Sequence, residues 1–85
     1  MRTVVVDFQD FEDKASLHRF LAEHLDFPDY YGKNLDALYD VLSTEGRETT
    51  ILALPAGREF EAGFLSVFRD AAEENQHLTV GIRPK

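Results

Sequence analysis

Asp29-Tyr30-Tyr31-Gly32-Lys33-Asn34-Leu35-Asp36-Ala37-Leu38-Tyr39-Asp40-Val41-Leu42-Ser43 is the stretch that decides how this chain is read. It is a loop running into a helix. Gly32 suits a tight backbone bend, and Asn34 suits a helix N-cap, because its side-chain oxygen can accept an orphan N–H of the first turn. Beyond Asn34, Leu35, Leu38, Val41 and Leu42 recur at helical spacing. At about 100° per residue they share one side, with Tyr39 at its edge. Asp36, Asp40 and Ser43 fall on the opposite side. The helix is therefore expected to bury its leucines and turn two carboxylates to water, just beyond two tyrosines. Asp36 and Asp40 form a like-charged i, i+4 pair, which weakens a helix by roughly 0.2–0.5 kcal/mol. Such a stripe is either the solvated face of an acidic protein or a patch that awaits a basic partner.

Working outward, Thr3-Val4-Val5-Val6-Asp7-Phe8 is β-branched and nearly all apolar, which predicts a strand buried on both faces. Asp13 can cap the next element, where Leu17, Phe20, Leu21 and Leu25 predict an amphipathic helix over residues 14–25. Pro28 closes that segment. Past the central motif, Gly46 marks a turn, and residues 49–54 read as a second strand ended by Pro55 and Gly57. Phe60, Phe64, Val67, Phe68 and Ala71 make another helical stripe running to about Glu74. Gly63 weakens its start by about 1 kcal/mol relative to alanine, so regular helix is expected from near Ala62. Asn75 is placed as a C-terminal cap. Residues 78–82 form the last strand, closed by Pro84. Strands separated by helices pair in parallel through right-handed crossovers. The expected fold is an α/β domain over residues 1–85: a three-stranded parallel sheet covered by helices, in the order β-α-α-β-α-β.

Composition narrows the function. The hydrophobic fraction of 44 %, with seven phenylalanines, is enough for a small core. With no cysteine, disulfides and thiolate metal sites are excluded, and a reducing, cytoplasmic setting is expected. No apolar run approaches the length that spans a membrane. The net charge of −7 opposes nucleic acid as a partner and favours a basic protein. His18 and His24 do not share a helix face, so no metal site is expected, and nothing calls for a cofactor. A monomer follows as the expectation.

The run Tyr30-Tyr31-Gly32-Lys33-Asn34-Leu35-Asp36-Ala37-Leu38, with Asp40 after it, resembles the barstar family, intracellular inhibitors of barnase-type ribonucleases. Leu17-His18 and Leu25 before the run, and Val67-Phe68-Arg69-Asp70-Ala71 after it, extend the likeness over most of the chain. The resemblance implies three parallel strands with helices around them. It also implies a protein that blocks a cationic, phosphate-binding active site with this loop and helix. A carboxylate can stand in for phosphate there through charge-assisted hydrogen bonds. By position, Asp40 takes that role, Asp36 binds at the pocket's edge and Tyr30 packs against catalytic residues. Gly32, Asn34 and Ser43 make polar or backbone contacts. Asp70 and Glu74 match acidic positions on the family's last helix, Asp70 being the better match for a contact. Three departures are visible. Tyr39 stands where the family carries tryptophan, the segment after Ser43 differs in sequence, and residues 55–61 replace a connection that holds an extra short helix.

Paired carboxylates also serve glycosidases, but those need one carboxyl raised in pKa within a cleft. The polar side of a short helix offers none, and no phosphate loop, cysteine nucleophile or serine–histidine pair is present. The reading is an inhibitor of a basic ribonuclease, antitoxin-like, and not an enzyme. The competing reading is an acidic module of the same fold with another protein partner.

Overall fold

A computed structural model describes residues 2–83, and Pro84, read above as the stop of the last strand, lies outside them. The elements follow the expected order. Strand β1 spans Arg2–Asp7, helix α1 Lys14–His24, helix α2 Leu35–Ser43, strand β2 Thr49–Leu54, helix α3 Glu61–Glu74 and strand β3 Leu78–Ile82. Phe8 does not continue β1. It opens a short 3-10 turn to Asp10, because the Asp7 carboxylate accepts the Gln9 N–H at 3.0 Å and bends the chain off the strand line. Asp13 caps α1 as expected, accepting from the Ser16 N–H at 2.9 Å.

The sheet is parallel throughout, in the spatial order β1-β2-β3. Right-handed crossovers through strands taken in sequence order lay every helix on the same face. Burial agrees. Val4 and Val6 of β1, Ile51 and Ala53 of β2 and Leu78 of β3 are buried, and so are Leu17, Leu21, Leu38, Leu42, Phe64 and Phe68 of the helices. The reading of β1 as buried on both faces is corrected here. Val5 is 49 % exposed, as its side chain points to the face that no helix covers. The topology leaves that face open, whatever the residues on it.

Two features fix α2 on this frame. At its N-terminal end, Leu35 lies over Gly63 of α3. A Cβ on Gly63 would fall 2.8 Å from Leu35 Cδ1, so glycine admits a close approach of the two helices. The helix that begins at Glu61 thus carries Gly63 in its first turn for packing. At its C-terminal end, the buried Asn75 side chain donates to the carbonyls of Leu42 at 2.8 Å and Glu45 at 2.7 Å. Leu42 O belongs to the last turn, whose carbonyls lack i+4 partners, and Glu45 O to the turn just beyond the cap. Asn75 is the capping residue of α3, in extended backbone, and its side chain serves α2.

Beside it, Arg2 donates to Leu25 O at 3.0 Å and Thr49 Oγ1 at 3.1 Å, and pairs with Glu45 at 3.2 Å. Arg47 hydrogen-bonds the same carboxylate at 2.9 Å. That bond, with the Arg2 and Arg47 charges, holds Glu45 at a pKa of about 2. The connection between β2 and α3 holds no helix. Instead, Glu61 folds its buried carboxylate back onto the N–H groups of Ala56 at 2.9 Å and Arg58 at 2.6 Å.

Candidate functional site

The loop ahead of α2 is pinned by Tyr31. Its phenol lies 2.5 Å from His18 Nδ1, and its ring packs on Phe27 at a centroid distance of 4.9 Å. Its N–H reaches Pro28 O at 2.9 Å. Tyr31 is buried and so is His18, while Tyr30, the next residue back, is 87 % exposed. Anchoring one tyrosine thus presents the other. Burial holds the His18 imidazole below the usual histidine range, helped by the charges of Lys14 and Lys33. The same desolvation raises the Tyr31 phenol.

The expected bend at Gly32 is displaced by one residue. Lys33 takes the left-handed conformation, with φ 53°, while Gly32 does not. The reason for glycine at 32 is space: a Cβ there would sit 3.2 Å from Asn34 Nδ2 and 3.5 Å from Ala37 Cβ. Asn34 is the N-cap of α2, accepting from the Ala37 N–H at 2.8 Å. Its amide also donates to Gly32 O at 3.4 Å, which ties the loop to the helix start.

From this cap the helix projects its charges. Asp36 and Asp40 are exposed on the polar side of α2, with Leu38 and Leu42 buried opposite. Ser43 is half-buried, and its hydroxyl donates back to Asp40 O at 3.2 Å, joined by Thr44 at 2.8 Å. On one flank Tyr30 shares a shallow depression with Val41 and Thr44. On the other, Tyr39 faces α3. Desolvation raises its phenol pKa, and the charges of Glu74, Asp70 and Asp40 raise it further. The exposed Tyr30, Asp36 and Asp40 of the loop and α2 form a ridge, with Gly32, Asn34 and Ser43 on the same loop and helix, and Asp70 and Glu74 are exposed on the neighbouring α3. Sequence reasoning missed the His18–Tyr31 anchor. Its only signal was a histidine on the apolar side of α1, at one turn's distance from Leu21.

Asp36, Asp40, Asp70 and Glu74 are all exposed, so these carboxylates are open to a docking protein. Residues 1–83 match the family model described as Barstar (barnase inhibitor). The chain belongs to the barstar family. A curated relative from Bacillus subtilis (strain 168), named "Putative ribonuclease inhibitor YrdF", is 43 % identical over 70 residues, which is 82 % of this chain and 76 % of that protein. Membership of the barstar family makes the chain an inhibitor and not an enzyme. Among the described residues, no group of three or more histidines and carboxylates could hold a metal ion, and no helix is long and apolar enough to cross a membrane.

Proposed function

We propose that this barstar-family protein inhibits a basic, barnase-like ribonuclease by laying α2 and its leading loop across the enzyme's phosphate-binding site. The observation that carries the reading is the pair Asp36 and Asp40, exposed on a helix fixed at both ends, with Asp70 and Glu74 exposed on α3, which packs against it. A ribonuclease must gather cations around a phosphate, and a rigid row of carboxylates is the complementary surface. In this reading Asp40 occupies the phosphate position and Asp36 its edge. Tyr30, with its ring already in solvent, packs on the enzyme at little desolvation cost. Asn34 and Gly32 contact it through the amide and the backbone, since the Asn34 oxygen is committed to the cap. Ser43 supports Asp40 from below, and Asp70 meets a basic group at the far flank. The protein acts as a monomer in the cytoplasm of the cell that makes the enzyme.

The test is an RNA-cleavage assay with a barnase-like ribonuclease. One equivalent of wild type is expected to abolish cleavage, and Asp36→Ala/Asp40→Ala at the same concentration is expected to leave most of it. Undiminished cleavage with wild type would refute the ribonuclease reading and leave an acidic module for a different basic protein.

A further inference from the structure

The two lysines among the described residues, Lys14 and Lys33, line one pocket. It lies between α1, the loop into α2 and the start of α3, with a volume of about 340 Å³. Phe60 and Phe64 supply aromatic walls, with ring centroids 6.0 Å apart and the rings edge to face. His18 closes the inner side, with its ring 4.9 Å from that of Phe64. Both lysines are exposed, and among the described residues neither makes an ion pair. Glu59, the one acidic group lining the pocket, pairs with neither. In a chain of net charge −7, two unpaired ammonium groups beside an aromatic hollow run against the sign of the rest of the surface.

We propose that this pocket binds a small aromatic carboxylate, with its ring against Phe60 and Phe64 and its anionic group on Lys14 and Lys33. Ligand sites are mostly apolar hollows of about 300–1,000 Å³ in which a few charged groups fix orientation, and this pocket has that composition. An ammonium–carboxylate contact is charge-assisted, so it discriminates an acid from a neutral compound of the same shape. None of Asp36, Asp40 and Asp70 lines the pocket, so the proposal holds whether or not the partner is a ribonuclease. Asn34 is common to pocket and ridge.

Titration followed by heteronuclear NMR tests it, with naphthoate as the acid and naphthalenemethanol as its neutral counterpart. Naphthoate is expected to shift the backbone amides of Lys14, His18, Lys33, Gly63 and Phe64 and to bind wild type more tightly than the alcohol. Lys14→Gln/Lys33→Asn should weaken naphthoate by about tenfold or more and leave the alcohol unchanged. Asparagine is chosen at position 33 because it tolerates positive φ. Phe60→Ala should weaken both ligands. The proposal is overturned if naphthoate does not bind, or if it binds wild type no better than the alcohol. It is equally overturned if the shifts fall on the open sheet face at Val5, Leu52 and Leu54. The comparison of acid and alcohol on wild type decides the matter even if the double variant folds poorly.

Discussion

His18 Nδ1 and the Tyr31 hydroxyl sit 2.5 Å apart inside the core, thirteen residues distant in sequence, and this bond ties α1 to the loop that presents the ridge. We assign the phenol as donor, with the imidazole neutral and its proton on Nε2, since burial disfavours the charged ring. Removing the hydroxyl leaves a buried imidazole nitrogen without a partner, which costs about 1–3 kcal/mol. Tyr31→Phe should therefore lower the urea midpoint, while Tyr30→Ala should leave it within about 0.5 kcal/mol of wild type, as an exposed substitution does. Equal midpoints for Tyr31→Phe and wild type would show that the bond contributes nothing.

The same pair makes stability depend on pH. Unfolded, His18 takes up its proton near 6.5; folded, it does so at lower pH. Between those values the unfolded chain binds more protons, so stability is full above about 6.5 and declines as the pH falls through that window. Glu45, held at about 2 against an ordinary 4.5, adds a second loss at more acid pH by the same sign. Urea melts at neutral and mildly acid pH should show the first decline in wild type, and His18→Gln should flatten it. A midpoint that rises on mild acidification would contradict the assignment.

Gly63 and Leu35 are predicted to be coupled. Alanine at 63 gains about 1 kcal/mol of helix propensity. In wild type its Cβ also meets Leu35 Cδ1, the end of a side chain that is 37 % exposed and able to turn away only in part. Gly63→Ala should thus gain more in a Leu35→Ala background than alone. A double-mutant cycle from thermal melts measures the difference. Strict additivity would mean that the close approach of α2 and α3 does not depend on the glycine.

Much of this was legible in the chain. Residues 49–54 and 78–82 are strands to the residue, because β-branched runs there are bounded by turn residues. Asn34 and Asp13 announced their helices through capping chemistry that acts over three residues. Phe8 left its strand through one local side-chain bond, and the rest of what failed was a matter of packing. Val4-Val5-Val6 is apolar at every position, so periodicity could not say that strand order would leave Val5 in solvent. Gly32 attracted the bend that Lys33 makes, since local propensity favours glycine there and close packing against Asn34 and Ala37 lies outside that rule. How α2 lies on α3 depends on a close approach that Gly63 permits but cannot announce.

The central claim is that Asp40, docked on the enzyme's phosphate-binding groups, holds the complex together. Before binding is measured, stability must separate the two sides of α2. Leu38→Ala, which truncates a fully buried leucine, should cost about 2–5 kcal/mol, whereas Asp40→Ala, which relieves a like-charge pair, should not destabilise.

The decisive measurement is the dissociation rate from a barnase-like ribonuclease for wild type, Asp40→Ala and Glu12→Ala, taken at low and physiological salt. Glu12 is an exposed carboxylate ahead of α1, on none of the ridge's elements. Association should slow with salt for all three proteins, because attraction between exposed charges is screened over about 8 Å at physiological ionic strength. Truncating one member of a buried charge pair costs about 2–5 kcal/mol, a general range to which the barnase–barstar complex itself contributes. Asp40→Ala is therefore expected to dissociate about thirtyfold faster or more, and Glu12→Ala at the wild-type rate. Equal dissociation rates for Asp40→Ala and Glu12→Ala from an enzyme that wild type binds would contradict the account, and place the contact on another face.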